Sequence, residues 1–320
     1  MASTKSKEPK DPKTPRIRKA PSVPVVIPTK PGERYYEFRD WFNCRAYWKG
    51  NHNFKGLIAT FLTPAQQEKL NNGTFWHIMA MKNFHCSMKL VHCLILSRVF
   101  TNNRNSINFK IFGCDVSFNL EDFHIMYDLR ITTHNVEKSI KRESKILKRY
   151  FGKSKGVTLK DIQEYMMRNQ NKNDDVNFKH VCESDEDVVK IMEILIVEFV
   201  FFERKHESTV LEEYATIVED GEACLNYPWG NASYEKLITS MKHALDTKDK
   251  NNPTEYTVGE FPYPLYVWFY ERFPDIQDKY LKDDDYLDVP QVPRMLRYPY
   301  LGEPKFKELH ADYFSNNGVN

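Results

Sequence analysis

Two His-Cys pairs, His85-Cys86 and His92-Cys93, place four zinc-competent side chains within nine residues, the strongest metal-like cluster in the chain. On a single helix like residues of the two pairs would lie about 10 Å apart along the axis, whereas the ligands of one zinc ion approach it to about 2.0–2.3 Å. The pairs therefore read as core and helix-face residues, and neither a metal nor a cofactor is expected. Cysteine nucleophiles need a histidine base oriented by a third group, and no such arrangement is legible around Cys114, which reads as a small buried residue. His206-Glu207 would open an H-E-x-x-H metalloprotease motif, but Val210 stands where the second histidine belongs. Gly152-Lys153-Ser154 resembles the end of a phosphate loop, yet Leu147 occupies the place of its first glycine. The chain reads as a non-enzyme with no evident small-molecule substrate.

Charge gives a more positive signal. At 100° per residue, Lys138, Lys141, Arg142, Lys145, Lys148 and Arg149 fall within about 120° of one face of a helix over residues 136–151, with Val136, Ile140, Leu147 and Phe151 opposite. Such a stripe is either a solvated face or a surface for the phosphates of DNA or RNA, and no aromatic stacking platform accompanies it. Residues 1–32 carry eight Lys or Arg against two acids, which leaves a body of the opposite sign, because the whole chain sums to +2. Lys13, Arg16, Arg18 and Lys19 in this segment suit nuclear import or a nucleic-acid arm, the plain alternative being a solubilising leader. The acidic run Asp283-Asp284-Asp285 lacks the glycine turn of a calcium loop and reads as solvated.

The elements that must carry these groups follow from composition and periodicity. With 320 residues, 41% hydrophobic and 14% aromatic, the chain is large enough to bury about three quarters of its unfolded surface. Seven of 17 prolines lie in residues 1–32, which have too few large apolar side chains to offset the entropy of folding. The domain reading is a disordered basic tail at 1–33, a single mainly α multi-helix domain with a small β-hairpin at 34–312, and a disordered end at 313–320. Six cysteines without close pairing, and no secretory signal ahead of them, read as free thiols in a reducing compartment. The most apolar window, residues 188–202, contains Lys190, Glu193 and Glu198 and is shorter than the roughly 20 residues of a membrane span, so no membrane is expected.

Thr63, with Pro64 and Gln66 after it, predicts a helix over 64–70; further helices are predicted over 87–99, 119–129, 136–151, 159–169, 185–204, 210–219, 231–246 and 261–273. Residues 108–112 and 115–118 predict a hairpin turning at Gly113. Trp229, Phe261, Tyr266, Trp268 and Tyr270 are core candidates by their bulk, or the walls of an aromatic groove for a protein partner.

Punctuation by aromatic residues and prolines points to a family. Tyr227-Pro228-Trp229-Gly230 followed by Ala232-Ser233-Tyr234-Glu235-Lys236-Leu237-Ile238, then Gly259-Glu260-Phe261-Pro262 and Pro293-Arg294-Met295-Leu296, resemble the plant domain of unknown function numbered nineteen eighty-five. Val116-Ser117-Phe118-Asn119-Leu120-Glu121-Asp122-Phe123 and Tyr127-Asp128-Leu129 extend the resemblance, which covers roughly residues 75–296. It implies a domain found in transposon-derived genes, often upstream of a SUMO-protease-like cysteine peptidase domain, and supplies no catalytic residues. The peptidase relatives carry Asp-Cys-Gly at the nucleophile; Gly113-Cys114-Asp115 has the reverse order, so that domain is not expected here. The functional expectation is a transposon-derived binding or scaffolding module, nuclear and contacting nucleic acid, or else an accessory domain of a cysteine peptidase system or a protein-interaction module.

Overall fold

The computed structural model describes residues 28–48, 53–81, 86–134, 142–168, 182–245, 255–259, 261–280, 293–298 and 304–314. Strand β1 (Arg45–Trp48) and helix α1 (Phe54–Ala59) lead to helix α2 (Pro64–Asn71), which begins as its sequence predicts. The Gln66 amide donates to the Thr63 hydroxyl at 3.3 Å and the Thr63 amide to the Gln66 side chain at 3.0 Å, satisfying two donors that a helix start leaves free. After helix α3 (Trp76–Ala80), helix α4 (Met88–Leu96) is capped by Ser87, whose hydroxyl accepts the Leu90 amide. It stops short of the predicted residue 99 because Arg98 and Val99 pair with Phe109 and Asn108 as strand β2 (Arg98–Val99).

Strands β2, β3 (Ile107–Ile111) and β4 (Cys114–Phe118) form an antiparallel sheet, of which the predicted hairpin is one half. Its two-residue turn holds Phe112 at φ 50° and Gly113 at φ 76°, the left-handed pair that suits the twist of a hairpin. A phenylalanine is unusual at such a φ. It is held there by its amide, which donates to the Tyr313 carbonyl at 3.1 Å, and by its ring against Phe273 and Tyr313.

That contact moves one predicted boundary, since Tyr313 and Phe314 are buried in the body. The other boundary moves too: the Gly32 amide donates to the Phe100 carbonyl and the Phe100 amide to that of Glu33. Residues 28–33 therefore belong to the folded part, while residues 1–27 and 315–320 lie outside the described residues.

Helix α5 (Leu120–Tyr127), predicted over 119–129, is capped by Asn119, and Asp122 completes the cap. Helix α6 (Lys145–Phe151) corrects the predicted 136–151: Ser144 is its N-cap, and the Glu219 carboxylate accepts the Lys145 and Ile146 amides at 2.9 Å and the Ser144 hydroxyl. Residues 142–144 are not helical, and 135–141 lie outside the described residues. Helix α7 (Leu159–Arg168) is followed by α8 (Asp185–Ile196), which continues as a π-helical turn, Val197–Phe201, with the Phe202 amide donating to the Val197 carbonyl.

Helices α9 (Glu212–Glu219), α10 (Gly221–Asn226) and α11 (Trp229–His243) follow, then strand β5 (Glu255–Val258), which pairs in parallel with β1. Helices α12 (Tyr263–Arg272), α13 (Pro274–Tyr280) and α14 (Phe306–Glu308), the last running into a second π turn, complete the body. The fold is thus mainly helical with a small antiparallel sheet, and the parallel β1–β5 pair is an addition to the predicted pattern.

The core gathers around α8 and α12. Every residue from Tyr263 to Tyr270 is buried, and the Trp268 ring lies 5.7 Å from Phe109 and 5.3 Å from Phe118, which ties α12 to the sheet. Full burial of side chains this size is worth about 1.5–3 kcal/mol each. Among the described residues, no helix is long and apolar enough to cross a membrane.

Candidate ligand groove

Helices α2 and α8 run side by side in the same direction. Gln66 Nε2 donates to Asp185 Oδ1 at 2.8 Å, Lys69 Nζ lies 3.7 Å from Glu186, and a Cβ on Gly73 would meet Glu193 Oε1 at 3.1 Å. Beside this pair opens a groove of about 1350 Å³, lined also by the start of α3, the end of α5 and helix α10.

Two imidazoles and two indoles line it. His77 is only 3% exposed, its Nε2 has no hydrogen-bond partner, and its ring stands edge-on to Trp76 and Tyr127. Burial pushes its pKa down to about 4, so the ring is neutral at pH 7. His124 Nδ1 donates to the Leu129 carbonyl at 2.8 Å, which leaves Nε2 as the ring's other hydrogen-bonding atom. Trp76 is half-buried, whereas Trp229 is buried with its Nε1 donating to the Cys224 carbonyl.

Charges of both signs surround these rings. Lys190 Nζ lies 2.8 Å from the buried Glu193 carboxylate; burial raises that carboxyl's pKa and Lys190 opposes the rise. Arg130 donates to Asn226 Oδ1 at 2.8 Å. Leu225, on α10, is 62% exposed in the groove wall. Among the described residues no three metal-ligating side chains come together. The arrangement can accept hydrogen bonds, bury an apolar group and match charge.

The predicted site residues lie elsewhere. Trp229, Phe261, Tyr266, Trp268 and Tyr270 are all buried in the core, so among the described residues they form no aromatic groove; their rings pack edge-on or tilted against neighbours. Only Trp229 also touches the observed groove.

Lys145, Lys148 and Arg149 are exposed on α6, but Lys148 pairs with Glu143 at 2.9 Å and Arg149 with Asp187 at 2.8 Å and Glu183 at 3.4 Å. Arg142 precedes the helix, so the six cations do not share one helical face. Lys138, Lys141, Lys13, Arg16, Arg18, Lys19, His85 and the Asp283–Asp285 run lie outside the described residues.

Four of the six thiols are buried, Cys86 is half-buried and Cys114 is exposed. Burial raises the thiol of Cys44 to about 11 and those of Cys182 and Cys224 to about 12, and raises Cys93 further still. Cys114 is exposed at the start of the edge strand β4 and not buried as its residue type suggests. His92 uses both ring nitrogens, on the Tyr256 hydroxyl at 2.8 Å and the Phe42 carbonyl at 2.7 Å, and His206 bonds Gln163.

His77, Trp76, His124 and Leu225 carry no short motif. They converge only through the packing of α3, α5, α8 and α10, which no spacing in the sequence announces. Residues 95–240 match the family described as "Domain of unknown function (DUF1985)", a span that runs from the end of α4 through most of α11 and includes α5, α8 and α10 of the groove. No curated protein and no solved structure matches the chain.

Proposed function

With a DUF1985 domain at residues 95–240, we propose that the protein is a non-enzymatic binding module that takes its partner in the groove between α2, α8, α5 and α10. The observation that carries the reading is the groove itself: an open, built cleft holding a large exposed apolar side chain, Leu225, and a buried imidazole nitrogen without a partner, on His77. Exposed apolar surface framed by polar residues marks interaction sites. The non-enzymatic part is supported by the thiols of Cys44, Cys93, Cys182 and Cys224, which burial keeps protonated and poorly nucleophilic. A transposon-derived nuclear setting, with Lys13, Arg16, Arg18 and Lys19 as the import segment, accords with this module.

Nucleic acid is the competing partner, through the basic tail and Lys145, Lys148 and Arg149. Ion pairing already satisfies two of those three side chains, so the groove is the better candidate. The test compares fluorescent random heptapeptide pools, duplex DNA and single-stranded RNA as probes across a salt series, against the native protein and Ala65→Trp, which fills the groove from an exposed position of α2. Peptide binding that Ala65→Trp abolishes supports the reading. Binding of DNA or RNA alone, unaffected by Ala65→Trp and falling by about 0.7–0.9 in log-log slope for each phosphate contacted, would overturn it.

A further inference from the structure

We propose that the occupant of the groove is an extended polypeptide segment presenting an arginine or lysine side chain beside an apolar one. This inference rests on the groove being the binding surface and names the chemistry that surface accepts.

Charge decides first. Two of the groove's bases are matched by carboxylates, Lys69 by Glu186 and Lys190 by Glu193, while Arg130 donates to the neutral Asn226 amide oxygen and keeps its charge. Glu68 and Asp128 are exposed in the same lining, and neither makes an ion pair among the described residues. Two unmatched carboxylates against the one Arg130 guanidinium leave the lining net acidic, so a cationic side chain entering the groove is attracted and a polyanion is repelled. Asp128 is placed for this role by backbone geometry, since it ends α5 in the left-handed conformation at φ 58°, where the chain turns back into the groove lining at Leu129 and Arg130.

Shape and hydrogen bonding favour a peptide over a small cation. The volume of about 1350 Å³ exceeds the roughly 300–1,000 Å³ typical of small-molecule sites. Its helical walls, from Ala65 to Asn72 on α2 and from Glu186 to Glu193 on α8, each extend about 10 Å, enough for about three residues of extended chain. Leu225 and the half-buried Trp76 offer apolar contact for a neighbouring side chain. His77 lines the same groove, with a neutral ring whose buried Nε2 has no hydrogen-bond partner among the described residues.

The test uses the full chain with capped, fluorescein-labelled heptapeptide pools whose central residue is Arg, Gln or Glu and whose flanks are randomised among Leu, Val, Ala and Ser. Binding is read by anisotropy for the native protein, for Glu68→Gln/Asp128→Asn, and for Ala65→Trp. All three positions are exposed, and asparagine tolerates the left-handed backbone at 128, so melting curves should match the native protein.

The expected result is that the Arg pool binds about tenfold tighter than the Glu pool, that the double variant narrows this ratio to within about threefold while leaving the Gln pool unchanged, and that Ala65→Trp weakens every pool. Equal binding of Arg and Glu pools, still lost in Ala65→Trp, overturns the basic-residue inference and leaves the groove reading standing. Absence of peptide binding, or binding indifferent to Ala65→Trp, overturns both.

Discussion

The Gly230 amide donates to the Arg130 carbonyl at 2.9 Å, joining the start of α11 to the segment that leaves α5. A Cβ on Gly230 would meet Ile131 Cγ2 at 2.6 Å and the carbonyls of Leu129 and Arg130 at 2.9 Å. Its φ is not in the left-handed region, so glycine is required here for closeness alone. The two stretches of the family resemblance, Tyr127-Asp128-Leu129 and Tyr227-Pro228-Trp229-Gly230, are thus opposite sides of one backbone contact. Gly230→Ala forces those backbones apart and should cost about 1–3 kcal/mol, seen as a lower urea midpoint. An unchanged midpoint would show that the contact yields freely.

The next residue makes the contact reciprocal. Thr132 N–H donates to Asn231 Oδ1 at 2.8 Å, and Asn231 Nδ2 donates to the Thr132 carbonyl at 2.9 Å. One amide side chain therefore satisfies both backbone groups of a residue 99 positions away. Asn231→Ala strands both and should destabilise by about 1–3 kcal/mol; Asn231→Asp keeps the acceptor for the Thr132 amide but sets a carboxylate oxygen against the Thr132 carbonyl, and should be no more stable than Ala. Urea denaturation of the three proteins checks the order, and an aspartate variant as stable as native would count against it.

The cap at Thr63 was legible because it is local: Thr63 and Gln66 are three residues apart, and the structure has the pair. The basic stripe misled for the opposite reason. Helical periodicity runs through residues 136–151, but the helix starts where Ser144 and a carboxylate from Glu219, 75 residues on, gather the free amides. The aromatic segment 261–270 was legible as core through its apolar bulk, yet its reading as a groove required exposure that ring packing removes. Strands β1 and β5 pair in parallel across some two hundred residues, beyond the reach of any turn signal. The groove is of the same kind, assembled from four distant stretches of chain whose relation exists only after folding.

Thiol chemistry separates a scaffold from a nucleophile. Cys44, Cys93, Cys182 and Cys224 are buried with raised pKa values, Cys86 is half-buried beside the Met88 sulfur, and Cys114 is exposed. Native protein treated with an aromatic disulfide reagent at pH 7.5 should release one prompt equivalent, removed by Cys114→Ser, with the buried thiols reacting only on unfolding. Prompt labelling that survives Cys114→Ser and outpaces glutathione would point to an activated thiol and sink the non-enzymatic reading.

Glu198 offers a pH-dependent signature within the π turn. Its side chain is 1% exposed, Oε1 accepts the Leu211 amide at 2.7 Å, and Oε2 faces Arg204 Nε at 3.4 Å. Burial raises its pKa from 4.5 to about 7, with the Leu211 amide and Arg204 opposing. The folded state therefore keeps a proton that the unfolded chain has released. The resulting stabilisation is full below pH 4.5 and is lost as pH rises through about 7.

His77 and His92 act in the other direction. Burial pushes both from 6.5 to about 4, and their contribution is present above pH 6.5 and lost as pH falls towards 4. Comparison with Glu198→Gln, which keeps the acceptor for Leu211 and both histidines, cancels the histidine effect. The stability of Glu198→Gln relative to native should rise between pH 4.5 and about 7 by on the order of 3 kcal/mol at most, then level off. Glu198 is a counter-charge to Arg204 only where it is ionised, so that interaction is already part of the folded pKa of about 7 and the slope carries the test. A difference that stays flat across this window in urea titrations would mean that Glu198 is ionised in the folded protein well below neutral pH.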